Sequence, residues 1–196
     1  FFFLLFSCGI NAQQLESLKI LKIKHDSIET QLKLKYQEEI KGKSESEISE
    51  IYYQNLLSRS KNNRERLDHY FSVVQTYLET QKLIGPSQEA AQQEIPDKTA
   101  NYSQGFPALY KEVHDFIKNR YQDRLDEYFT KSAKIHFIVQ NDHSLYIEKV
   151  EGTEKEFNDL ALLAFLMTTG KWESAFQRGM NVKSKFVLPV KFVVEE

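Results

Sequence analysis

Few residues in this chain have the type and spacing to do chemistry. His136 and His143 flank a short turn that also holds Asp142. Two imidazoles beside a carboxylate would be a minimal set for moving protons. One of them falls mid-strand and the other at a turn tip, so the trio reads as a surface arrangement rather than a site. His25 and His69 each lack a second His, Cys or carboxylate at a metal-ligand spacing and read as ordinary helix-surface or stripe residues. The single cysteine, Cys8, leaves no intramolecular disulfide and no thiolate metal site. A glycine-rich phosphate loop, G-x-S-x-G and H-E-x-x-H are all missing from the sequence. The sequence thus offers no catalytic, cofactor-binding or metal residues, and a non-catalytic protein is the expectation.

Composition narrows the partner. Lys and Arg number 26 against 28 Asp and Glu, a balance that gives no electrostatic argument for nucleic acid. Fourteen Phe and ten Tyr in 196 residues favour a packed core over disorder. That leaves protein surfaces, and the elements that would present them.

The most informative stretch is the last quarter. Thr153 followed by Glu156 predicts a capping box. Phe157, Leu160, Ala161, Ala164 and Phe165 then recur at helical spacing, and Gly170 predicts a left-handed stop. After Trp172 and the turn residue Gly179 the period changes to two. Val182, Ser184, Phe186, Leu188, Val190, Phe192 and Val194 share one face; Lys183, Lys185, Val187, Pro189, Lys191 and Val193 share the other. Upstream, Pro107 opens a helix with Leu109, Val113, Phe116 and Ile117 on one face. Ala133–Gln140 alternates, Asn141-Asp142 signals a turn, and Leu145 and Ile147 continue the inward side. A helix after the second hairpin strand returns the chain so that the last strand pairs beside the first. The expected class is α+β: a two-layer domain with a three-stranded antiparallel sheet, order second–first–last (2-1-3), and two helices on one face. The last strand would be an edge, consistent with Pro189 and with the guarding lysines. Trp172, Phe157, Phe165, Phe186, Leu188 and Phe192 are the expected core.

Trp172, Gly179 and the run Phe186-Val187-Leu188-Pro189-Val190-Lys191-Phe192 resemble the ending of the C-terminal domain of TonB-type energy transducers. The resemblance covers about residues 105–194, with 133–150 similar to the family's hairpin and 106–129 to its first helix. The chain departs from the family at Tyr121-Gln122, where a Tyr-Pro is usual, at Asn141-Asp142-His143-Ser144, which lacks the hairpin glycine, and at Ser174, which replaces a proline. The resemblance implies a partner-binding edge strand made by Val182, Lys183, Lys185, Val187, Pro189 and Lys191. It would receive an extended segment of an envelope protein, such as a TonB-dependent outer-membrane transporter, by strand addition. An energy transducer also needs a retained membrane helix and a long proline-rich spacer. Four prolines supply no such spacer, so the expectation is an exported TonB-domain protein in soluble or lipid-anchored use.

The rest of the chain is read as three segments. Residues 1–14 hold an apolar run too short to span a bilayer of roughly 30 Å. They suit a signal peptide cut after Ala12, or a loose lipobox that would lipidate Cys8; either implies a periplasmic or membrane-anchored location. Residues 15–84 predict a helical hairpin: Leu18, Leu21, His25, Ile28, Leu32, Tyr36 and Ile40 form one stripe, with a stop at Gly42 and a second capping box at Ser44 and Glu47. Ile48, Tyr52, Leu56, Leu67, Tyr70, Val74 and Tyr77 form the other, with a break expected near Asn62-Asn63. The arm would act as a spacer, bind a ligand, or join copies through a coiled coil, which keeps a structural envelope protein as the alternative function. Residues 85–105 are read as a linker with a short helix between Ser87 and Glu94, and 106–196 as the TonB-like domain.

Overall fold

The computed structural model describes the backbone of residues 2–86, 96–121 and 129–194, and the side chains of residues 16–86, 96–120 and 130–193. The fold is α+β and begins with a helical hairpin, as expected. By its internal contacts the chain divides into two compact units, one being Gln13–Gln75 and the other built on Thr76–Glu196.

Helix α1 (Phe2–Glu39) and helix α2 (Glu45–Ile84) are joined by a tight turn in which Gly42 takes a φ of 71°. Half of the expected Ser44 capping box forms: the Glu47 carboxylate accepts from Ser44 N at 3.0 Å, while Ser44 Oγ donates to the same carboxylate at 2.8 Å. The expected break near Asn62-Asn63 does not occur, and α2 runs through it. The reason is the seam between the helices, which is polar where the sequence suggested apolar. His25 is buried, with Nδ1 2.8 Å from Asn62 Oδ1 and Nε2 3.1 Å from His69 Nδ1. Asn55 donates to the Leu32 carbonyl, Arg59 meets Glu29 at 2.7 Å, and Arg66 meets Asp26 at 3.0 Å. Residues 48, 51, 55, 59 and 62 therefore make the inward row. Tyr52 and Leu56, expected in the stripe, lie on its flank and stay 54% and 45% exposed, with the Tyr52 ring 6.2 Å from that of Tyr36 on α1.

In the second unit, strands β2 (Phe129–Val139), β3 (Leu145–Gly152) and β7 (Ser184–Val194) form an antiparallel sheet in the order β3-β2-β7. Helices α3 (Phe106–Tyr121) and α4 (Lys155–Leu166) cover one face of it. Phe137 meets Phe165 of α4 at 4.8 Å, and Phe192 meets His114 of α3 at 5.6 Å. Burial alternates along β7: Leu188, Val190 and Phe192 are buried, while Val187, Pro189 and Lys191 are exposed. A bulge at Glu148 shifts the β2–β3 register between His136 and Phe137.

One sheet is not the whole of the β structure. β1 (Asn101–Tyr102) pairs with β4 (Trp172–Glu173), and β5 (Ala175–Gln177) pairs with β6 (Met180–Val182). Arg178 and Gly179, both at positive φ, make the two-residue turn of the second pair. Residues 96–105, expected as linker, are thus drawn into the fold: Lys98 bridges to Phe176, and Tyr102 is fully buried. The expected helix between Ser87 and Glu94 lies outside the described residues.

Two expected caps are corrected. Helix α4 starts after Glu154, which makes no side-chain cap, and Thr153 donates its amide to the Ser132 carbonyl of β2 instead. Gly170 does not stop the helix, which ends at Leu166. A Cβ at Gly170 would lie 2.3 Å from the Tyr102 ring, so the glycine is there for close approach.

Candidate protein-binding edge

The two edges of the main sheet differ. At the β3 edge, Gln81 of α2 behaves like a piece of neighbouring strand. Its Nε2 donates to the Leu145 carbonyl at 2.6 Å, and its Oε1 accepts from Ile147 N at 3.0 Å. Tyr77 Oη donates to the same carbonyl, and burial pushes its phenol up from the usual range. Backbone groups of an antiparallel strand alternate in direction, so these contacts fix the pattern across the sheet. The backbones of Leu145 and Ile147 point away from β2, so those of their partners Val139 and Phe137 point toward β7. Ser184 and Phe186 answer them. The backbones of Lys185, Val187, Pro189 and Lys191 consequently face away from the sheet. Pro189, which has no amide to donate, stands on this outward side. Among the described residues no second strand pairs with β7.

A groove of about 340 Å³ runs beside the outer half of β7, lined by Tyr110, Lys111, Val113, His114 and Ile117 of α3 and by Pro189, Val190, Lys191 and Phe192. Its rim carries charge of both signs. The Asp115 carboxylate beside Lys111 holds the lysine above its usual range, and Lys111 holds Asp115 below the usual carboxylate range. Lys185 is paired across the outer face with Glu148 at 2.7 Å. Among the described residues Lys191 makes no ion pair. The arrangement offers main-chain donors and acceptors beside an apolar-walled trough, the chemistry that accepts an extended peptide.

Four of the six residues expected at the edge, Lys185, Val187, Pro189 and Lys191, lie together there. Val182 does not: it is buried in β6 opposite Ala175, because the chain folds a hairpin around Gly179 before β7 begins. Lys183 lies between β6 and β7 and is half-buried. Tyr110 and His114 were not singled out from the sequence, although their i,i+4 spacing beside Val113 and Ile117 marks the flank of a helix stripe. Cys8 lies outside the residues with described side chains.

The core beneath the edge is aromatic. Trp172, 7% exposed, has the rings of Phe137, Tyr102, Phe186, Phe106 and Phe165 between 5.1 and 6.2 Å from its own. Phe157, Phe165, Leu188 and Phe192 are buried as expected. Phe186 stacks on Phe137 at 5.5 Å but stays half-buried.

The histidines flanking the hairpin acquire different partners. His136 Nε2 lies 3.1 Å from Glu151, and Lys149 holds that carboxylate below its usual range. His143 takes the left-handed position, φ 68°, that a glycine would fill in this turn. Its Nδ1 accepts from Ser174 N at 3.0 Å and lies 2.8 Å from Ser174 Oγ, which donates to the Gln140 carbonyl at 2.7 Å. A serine beside a histidine suggests a nucleophile and its base. Here the hydroxyl is buried and already donating elsewhere, and the ring nitrogen is taken by an amide. The pair ties the hairpin turn to the segment after Trp172, and a proline at 174 would lack the donor this tie uses. Among the described residues no helix is long and apolar enough to cross a membrane, and no cluster of three metal-ligating side chains occurs. No protein-family model matches the chain, nor does any curated protein or solved structure.

Proposed function

We propose that this chain is an exported, non-catalytic binding module of the TonB C-terminal kind, which takes an extended segment of an envelope protein as an added strand on β7. The observation that carries the reading is the asymmetry of the sheet. Gln81 satisfies the outward Leu145 carbonyl and Ile147 amide of β3, whereas no described strand pairs with the outward side of β7, which has an apolar groove beside residues 189–192. An incoming strand would gain main-chain hydrogen bonds there and place alternate side chains against Tyr110 and His114. The ending Phe186-Val187-Leu188-Pro189-Val190-Lys191-Phe192, which resembles the family's last strand, supplies this edge. An outer-membrane transporter with a free periplasmic segment is the partner class the resemblance favours.

A pull-down from an outer-membrane extract tests this with Val187→Pro. Val187 is 51% exposed and its amide faces outward, so proline removes a donor from the edge while leaving the β2–β7 ladder intact. The wild type should recover an envelope protein that Val187→Pro loses, with both chains melting within a few degrees of each other. Equal recovery by both would refute strand addition at β7.

A further inference from the structure

Helix α2 carries a second surface that the β7 reading does not use. On its outward side Glu50, Tyr53, Leu57, Ser60 and Arg64 follow one another at steps of three, four, three and four, and all five are exposed. Tyr53 is 54% and Leu57 47% exposed, and Tyr52 and Leu56 widen the apolar patch beside them. A row at this spacing, with Tyr53 and Leu57 as its apolar members, can face another helix, and it lies on the side of α2 away from the polar seam with α1.

The charges at its ends specify what fits. Glu50 and Arg64 lie equal distances, seven residues, on either side of Leu57. Among the described residues Arg64 makes no ion pair, and Glu50 only accepts a hydrogen bond from Gln54. A helix running antiparallel with its two-fold axis at Leu57 would set Leu57 against Leu57, Tyr53 over the Lys61 stem, and Glu50 against Arg64 twice. The same stretch of α2, Glu50 to Arg64, supplies this complement, with Lys61 standing one position off the row.

We infer that α2 is a self-association surface, and that its occupant is the same helix of a second copy, antiparallel and centred on Leu57. A two-fold contact of this kind is self-complementary. It is also short, about four turns or 21 Å from Glu50 to Arg64, so the dimer is concentration-dependent.

Sedimentation velocity on the full chain tests it through a charge swap. The wild type should shift from monomer to dimer with rising concentration. Glu50→Arg sets guanidinium against guanidinium at both ends of the seam, and Arg64→Glu sets carboxylate against carboxylate; each alone should weaken dimerisation about tenfold or more. An equimolar mixture of the two single variants should dimerise, because only the mixed pair is complementary, and the double variant should recover wild-type association. Matched circular dichroism controls for folding, since both side chains are exposed. A wild type that stays monomeric at every concentration would overturn the inference. So would a dimer indifferent to the swaps, as one formed through β7 would be.

Discussion

Trp172 sits against five aromatic rings, and its removal would leave a cavity among them. Trp172→Ala should cost about 3–5 kcal/mol, read as a shift of the urea midpoint; an unchanged midpoint would take the indole out of the core. This residue was legible from its place between a helix stripe and a strand of period two. Gly170 was not. Its pattern looked like a helix stop, and only the arrival of Tyr102 from a segment read as linker explains it. His143 and Ser174 were equally opaque as a pair. They are 31 residues apart, and neither has a local pattern that points to the other. Left-handed His143 brings its ring to accept the Ser174 amide.

Elements with a clean period were readable, and those whose packing is polar were not. β7 alternates between apolar and polar residues, so its faces followed from spacing alone. The row of α2 that meets α1 contains Asn55, Arg59 and Asn62, which no search for apolar stripes would select; the apolar Tyr52 and Leu56 lie on its flank. The start of α2 was legible because a capping box is local. Hydrogen bonds from the Ser44 amide, Lys43 and the Ser44 hydroxyl lower the Glu47 carboxyl from 4.5 to about 2. A depressed folded value means its contribution is complete above about pH 4.5 and is lost as pH falls toward 2. Glu47→Gln should therefore lower helicity at neutral pH, and the difference from wild type should vanish near pH 2. A difference independent of pH across that window would separate the cap from the carboxylate's charge.

At the scale of the molecule, the chain builds a helical arm and a sheet domain, and it treats the two sheet edges differently. An unpaired strand edge is a hazard that folds usually cover or guard. Here a glutamine from a helix covers the first residues of β3, while β7 keeps lysines, a proline and a groove. The three-stranded order could be derived from connectivity, because the helix after β3 dictates where the last strand returns. The covering of β3 could not, since Gln81 lies more than sixty residues upstream of its partners. The central claim is that the outward groups of β7 are available to a partner strand. Amide hydrogen exchange, residue by residue, measures this most directly. In the free chain the amides of Lys185, Val187 and Lys191 should exchange fast while those of Phe186, Leu188 and Val190 stay protected, and adding the envelope protein recovered by the pull-down should slow the fast set. Uniform protection along β7 in the free chain, or no slowing of the outward amides in the complex, would contradict the account.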